Sequence, residues 1–471
     1  MPLPAPAFRF LAAALVLAAS NLSAQRPEPN PEARALEREI LQELVGINTS
    51  DSAGGTPAAA QAVATRLLAA GMPAADVQVV GYAPRYQSLV ARLRGRGARR
   101  PLLLMAHLDV VDARREDWST DPYSLVEQGG FYYGRGTSDN KAGAAMLVAN
   151  LIRYLLEGFV PDRDIIVVLT ADEETSGESM RWLLAERRDL VDAEIALNTD
   201  GGGGAYQFGK PAMFSVQAAE KVYQSYTFEV RNPGGHSSLP VPDNAITRLS
   251  RALVALAAHN FPIRLTPITR LAFERGGVLL DSTLRRDLVR VALTGDTTAA
   301  ERLSRASAYL NAVLRTTCVS TRLYAGHADN ALPQLARATV NCRVLPDDPL
   351  EQVEETLRNV VADTAVYIIR EGEAVPSPPS PLRSDVLGPI EALAARFWPG
   401  VPVVPEMSTG ATDGLFTRNA GIPTYGVAAI FEEINDSRAH GRDERVGVEE
   451  FHLAAAFWYE LVKRVAGGRT A

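Results

Sequence analysis

IIVVLTADEETSG, residues 165–177, decides the architecture: a run of apolar and β-branched residues ends in a cluster of acids. An unbroken run of this kind suits a strand covered on both faces, the setting of a parallel sheet. LLLMA (102–106) and IALN (195–198) repeat the pattern. Helical stretches separate the runs, one alanine-rich from Ala142 to Leu156 and another near Met180 to Glu186. The alternation implies an α/β domain, a mostly parallel sheet with helices on both faces. Chemistry-bearing residues lie just past the strand ends: His107 and Asp109 in LLLMAHLDV, Glu173 and Glu174 in VVLTADEETSG, Asp200 in IALNTDGGGG. Open α/β sheets bind ligands outside the carboxyl ends of their strands, so these side chains are expected to converge.

On the amino-terminal side, QRPEPNP reads as a linker before an amphipathic helix carrying Leu36, Ile40, Leu41, Leu44 and Val45 on one face. A second helix runs over Pro57 to Ala70 and stops at Gly71. From about Tyr223 the pattern changes to alternating strands (SYTFEV, CVSTRLYAG, ATVNCRVL) with helical stretches at Asn244 to Ala258 and Leu350 to Val361. This is a separate α+β domain over about 223–372, closed by the proline-rich EAVPSPPSP. An α/β pattern then resumes through VPVV, GIPTYGVA and a last helix, Val448 to Val465. The catalytic domain is therefore discontinuous, 31–222 and 376–471, with the second domain inserted. Cys318 and Cys342 lie in strand-like runs flanking a turn-rich centre near Asn330. Pairing of those runs as a hairpin permits a disulfide in an oxidising compartment, and two buried thiols are the alternative.

The chain has 471 residues, 46% of them apolar, and a net charge of -7. That is enough material for a large core and two domains. An acidic surface does not attract nucleic acid or an anionic membrane. Four lysines (Lys141, Lys210, Lys221, Lys463) stand among 48 basic residues, the rest being scattered arginines that form no basic patch. Arg9, the apolar stretch Phe10 to Ala19 and Leu22-Ser23-Ala24 before Gln25 fit a cleavable signal peptide over 1–24, with export to the periplasm or the exterior. The stretch is shorter than the roughly 20 residues of a membrane-spanning helix.

Imidazole and carboxylate ligands suit zinc and related first-row ions. In H-x-D both side chains face the same way along an extended segment, so Asp109 can accept a hydrogen bond from the far ring nitrogen of His107. Glu173 and Glu174 repel each other at a strand end unless a cation is near. One can bind a metal while the other takes a proton from activated water, as metal-assisted hydrolysis requires; an exposed acidic helix start is the bland alternative. Asp139, after Gly134 and Gly136 in YGRGTSDNKAG, can sit between two metals, and His440 lies in SRAHGRDE. His236 in NPGGHSSLP belongs to the inserted domain and suits a lid residue that polarises the scissile carbonyl. Arg343 can grip a substrate carboxylate bidentately. A non-catalytic binding protein on a hydrolase scaffold is the competing reading; a retired scaffold usually loses its base or a ligand, and here every position is filled.

Taken in order, ELVGINTS, MAHLDVV, YGRGTSDNKAG, ADEETSG, GGHSS, DNALPQLARATVNCRVLP, GATDGLF and AHGRDE resemble the co-catalytic di-zinc metallopeptidase family of glutamate carboxypeptidase, bacterial dipeptidases, aminoacylase and succinyl-diaminopimelate desuccinylase. The resemblance implies that His107 and Asp200 hold one zinc, Glu174 and His440 the other, with Asp139 bridging, Glu173 as general base and Asp109 orienting His107. Cobalt or manganese can substitute for zinc. It implies a cis peptide from Asp139 to Asn140, and substrate binding by Asn330, Arg343 and the Gly410 to Asp413 turn, Thr412 included. The expected substrate is a peptide or N-acyl amino acid cleaved at an amide next to a free carboxylate. In dimeric relatives the histidine matching His236 reaches the partner's site, which implies a homodimer through the inserted lid domain. The insertion is longer here, mainly between Phe261 and Arg315, and an enlarged lid can replace the partner subunit.

Overall fold

The computed structural model describes residues 30–276 and 282–470; the expected signal segment, 1–24, lies outside them. A ten-stranded mixed sheet runs in the order Val77–Ala83, Tyr86–Leu93, Ile165–Thr170, Leu102–His107, Ile195–Asn198, Thr424–Gly426, Lys210–Glu220, Gly203–Gln207, Phe431–Glu433, with Val403–Ser408 also on Lys210–Glu220. Its centre is parallel: Leu102–His107 pairs in parallel with both Ile165–Thr170 and Ile195–Asn198, which in turn carries Thr424–Gly426. Every residue of the first two of these strands is buried. Alternate side chains feed two cores. Leu102, Leu104, Ile165 and Val167 meet the helices Lys141–Leu156 and Val448–Ala466 on one face, and Leu103, Met105, Ile166 and Val168 meet Glu178–Glu186 on the other. The expected α/β fold with helices on both faces is what forms, and continuous apolar runs are its cause.

The first helix, Pro31–Gly46, starts at Asn30, whose side chain accepts the Glu32 N–H, and it buries Ile40, Leu41, Leu44 and Val45 as the periodicity predicts. Its buried Glu37 meets His452 Nδ1 at 2.6 Å, a structural tie to the last helix. No described helix is long and apolar enough to cross a membrane.

The insertion forms a four-stranded antiparallel sheet, Thr317–Ala325, Leu335–Val344, Val222–Arg231, Val366–Glu371, whose core is closed by Ala245–Ala258 and Leu350–Val361. The longer stretch behaves differently. Helices Pro267–Arg275, Ser282–Thr294, Thr297–Ala306 and Ala308–Leu314 lie inside the expected 223–372 unit, yet they bury Phe273, Leu288, Leu303, Val313 and Leu314 in the core of the catalytic sheet. Periodicity identifies an apolar helix face but not the neighbour that covers it.

Cys318 and Cys342 stand opposite each other across paired strands and are joined by a disulfide, Cα to Cα 4.0 Å, which decides between the two alternatives the sequence leaves open. The bridge closes a loop with a sequence separation of 24. Replacing both cysteines by alanine should lower unfolding stability by about 3 kcal/mol through the freed loop entropy, read as a shift in the urea midpoint; an unchanged midpoint would contradict this.

Candidate metal centre

Sheet register brings the chemistry together. His107 stands level with Thr170, and Met105 with Asn198, so His107, the turn after Thr170 and Asp200 leave the sheet along one edge. His107 is buried, with Nε2 2.9 Å from Asp139 Oδ1. His440 Nε2 lies 3.1 Å from Asp139 Oδ2 and 2.9 Å from Glu174 Oε2. Asp139 therefore spans two imidazoles, one per oxygen. Ligand atoms of His107, Asp139 and Glu174 lie within 4.8 Å of one another, as do those of His107, Glu173 and Asp200.

The electrostatics of this cluster are unfavourable as the protein alone supplies them. Burial pushes the Asp200 carboxyl up to about 8, helped by the charge of Asp139. Burial and then Asp200 hold Glu173 well above the usual carboxylate range, and burial raises Asp413, beneath them, to about 7. Asp139 goes the other way: the two imidazoles outweigh its burial and hold it below the ordinary range. Hydrogen bonds to Asp139 and Glu174 raise His440 to about 10. His107 is likewise raised, its carboxylate neighbours Asp109 and Asp139 overcoming its burial. Glu174 Oε1 and Asp413 Oδ1 are buried without a hydrogen-bond partner. Orphaned acceptors beside imidazoles and crowded carboxyls fit a pair of divalent cations, and the mixed nitrogen and oxygen donors suit zinc.

Several residues that hold this arrangement escape sequence reading. Buried Glu444 accepts hydrogen bonds from the backbone N–H of Gly136, Ser138 and Asp139, and pairs with buried Arg135 at 2.6 Å. Arg135 also donates to the Gly441 carbonyl at 3.0 Å. One ion pair thus fixes the loop carrying Asp139 to the loop carrying His440, whose φ of 62° lies in the left-handed region. Ser138 donates to Glu432 at 3.1 Å, and Thr170 to Asp413 at 2.6 Å. Asp109 divides its work. His107 Nδ1 lies 3.0 Å from the Asp109 backbone carbonyl and 3.5 Å from its carboxylate, while that carboxylate accepts the N–H groups of Glu173 and Glu174 at 3.2 and 2.9 Å. The Asp139–Asn140 peptide is cis. Arg135 and Glu444 do sit beside glycines in GRGTSD and HGRDE, but an arginine or glutamate in a loop is ordinarily solvated, so the sequence carries no sign of their burial.

The remaining expected residues stand apart from the cluster. His236 is exposed on a short strand paired with Ala331, its Nδ1 accepting from Ser238, and the Asn330 carbonyl accepts the Ser237 N–H. Arg343 lies half-buried over the Tyr223 ring, 4.7 Å from its centroid, and has no carboxylate partner among the described residues. Gly410 donates its N–H to Ser408, and Thr412 donates its N–H and hydroxyl to Glu220, itself paired with Arg418 in a buried network. Among the described residues, no hydrogen bond or ion pair joins His236, Asn330 or Arg343 to the imidazole and carboxylate cluster.

Comparison with known proteins identifies the family. Residues 103–464 match peptidase family M20/M25/M40. The N-fatty-acyl-amino acid synthase/hydrolase of Homo sapiens is 30% identical over 382 residues, covering 77% of this chain and 74% of that protein. A probable carboxypeptidase S-like 2 of Dictyostelium discoideum is 27% identical over 383 residues, 77% and 71% of the two chains. Among solved structures, an M20 family metallo-carboxypeptidase of Sulfolobus solfataricus superposes with a TM-score of 0.69 at 18% identity, over 91% of this chain and 99% of that one. Human carnosine dipeptidase 1 superposes at 0.61 with 16% identity, over 92% and 98%. The chain belongs to peptidase family M20/M25/M40 and is a metallopeptidase-type hydrolase of the carboxypeptidase and amidohydrolase kind.

Proposed function

We propose that the chain is an exported two-zinc hydrolase that cleaves an amide next to a free carboxylate, in a dipeptide, a carboxy-terminal peptide bond or an N-acyl amino acid. The observation that carries this reading is the buried cluster in which Asp139 faces both His107 and His440 while Glu173, Glu174 and Asp200 crowd around it. His107 and Asp200 would hold one ion, Glu174 and His440 the other, with Asp139 between. When bound, the ions supply the positive charge that acidifies a water and polarises the amide carbonyl. Glu173 would take the proton from that water and pass it to the leaving amine. Asp109 positions Glu173 and Glu174 through their backbone N–H groups. Arg343, a guanidinium with no carboxylate partner among the described residues, is the group we assign to the substrate carboxylate, together with Asn330 and the Gly410 to Asp413 turn.

The names of the relatives support both peptide and acyl-amino-acid substrates. Export is supported by the disulfide, which persists in oxidising compartments. His236 would act only when the insertion closes over the cluster, or from a second copy. The edge strand Thr317–Ala325, where Val319, Leu323 and Tyr324 are exposed, offers such a copy a surface.

Glu173→Ala should retain its zinc while losing roughly 10² to 10⁴ in kcat, the usual worth of a general base; metal analysis beside steady-state assay checks both halves, and undiminished turnover would remove the proposed role. Arg343→Ala should raise KM at least tenfold for substrates with a free carboxylate and much less for their amides. Equal effects on both would count against a carboxylate clamp.

A further inference from the structure

Strand Lys210–Glu220 hands over to the insertion through two buried charges of opposite sign, and each grips a different part of the molecule. Glu220 and its partner Arg418, on the helix Gly414–Asn419, have side chains only 2% exposed. Glu220 Oε1 accepts from Arg418, while Oε2 accepts the Thr412 N–H at 3.0 Å, the Thr412 hydroxyl at 3.2 Å and the Gln217 amide at 3.1 Å. Lys221 donates to the Ala312 and Arg315 carbonyls, both at 2.8 Å, and to the Thr317 hydroxyl at 3.3 Å. Its backbone N–H donates to the carbonyl of Ser408, whose hydroxyl accepts the Gly410 N–H. Desolvation makes so deeply buried a pair as Glu220 and Arg418 a poor source of stability, which leaves placement as its use.

What is placed is shown by the neighbours of this short stretch. Asp413, at the end of the Gly410 to Asp413 turn, accepts from Thr170 at 2.6 Å, and Thr170 stands level with His107. Gln217 reaches the other way: a Cβ on Gly201, next to Asp200, would collide with its Oε1, as would one on Gly426. Past Lys221 the chain enters Val222–Arg231, where Tyr223 pairs with Arg343. Residues 217–223 thus connect the Asp200 turn, the Gly410 to Asp413 turn and the strand that carries Arg343.

We propose that Glu220 is a positioning residue that sets where the substrate carboxylate rests relative to the imidazole and carboxylate cluster, so that the chain distinguishes an amide next to a carboxylate from one a methylene farther away. It acts through Thr412. Both Thr412 donors are given to Glu220, so what Glu220 controls is the course of the turn. Held at Glu220 on one side and at Thr170 on the other, the turn cannot follow a displaced carboxylate, and misplacement of a bound group is costly in rate. The inference rests on the hydrolysis next to a free carboxylate proposed above.

The test uses the zinc-loaded full chain and three substrates with one acyl group in common: N-acyl-leucine, its homologue with one more methylene between amide and carboxylate, and N-acyl-leucinamide. The unaltered protein should prefer the first acid to its homologue in kcat/KM. Glu220→Gln should lower that preference roughly tenfold, mainly by raising KM for N-acyl-leucine, and should affect the leucinamide less. Because this variant leaves Arg418 buried without a counter-charge, Glu220→Gln combined with Arg418→Met serves if it does not fold, and the same fall in preference is expected. A preference between the two acids that is absent from the unaltered protein, or unchanged in a folded variant, overturns the proposal. So do equal losses on all three substrates, which would mark a merely structural pair. Equal turnover of N-acyl-leucine and its amide by the unaltered protein is a separate failure: hydrolysis next to a free carboxylate is then the wrong reading, and the positioning role falls with it.

Discussion

The structure depends on negative charge that the protein gathers and does not itself neutralise. Glu173, Glu174, Asp139, Asp200 and Asp413 converge at one end of a buried parallel sheet, and among the described residues only two imidazoles, His107 and His440, pair with them. Carboxyls driven up to about 7 and about 8 by burial and mutual repulsion would be protonated or displaced in an isolated chain. Bound divalent cations reverse that balance, because their charge is the largest in any such site. The same crowding that is costly without ions becomes affinity for them.

Such a cluster needs a rigid frame, since loops carrying like charges spread apart if free. Two devices supply it. Sheet register fixes His107, the Glu173–Glu174 turn and Asp200 through hydrogen-bonded strands in a fully buried core. The Arg135–Glu444 pair then ties the Asp139 loop to the His440 loop across some three hundred residues of sequence. A buried pair of this kind is weak support for stability, because desolvation offsets its attraction. Its value here is geometric: Glu444 satisfies consecutive backbone donors and so sets where Asp139 points.

Much of this was legible in the chain. Buried parallel strands leave continuous apolar runs, and IIVVLT and LLLMA carry that signature plainly, so the fold class and the convergence of His107, Glu173, Glu174 and Asp200 follow from pattern alone. Asp139 and His440 lie in glycine-rich turns whose placement depends on tertiary contacts, and family resemblance rather than periodicity identified their positions. Arg135 and Glu444 were not legible, because burial of a charged side chain is decided by its partners and leaves no local trace. The helices between Pro267 and Leu314 escaped for a related reason. Their amphipathic spacing is clear, but whether such a face packs on the insertion or on the catalytic sheet is a three-dimensional choice.

Two ions in this cluster are what the proposed chemistry requires. Diffraction data collected on either side of the zinc absorption edge, from crystals grown with zinc, address it most directly. Two anomalous peaks roughly 3.5–4 Å apart are expected, one between His107 and Asp200 and the other between Glu174 and His440, with Asp139 between them. Crystals of active protein with no anomalous peak at these residues would contradict it.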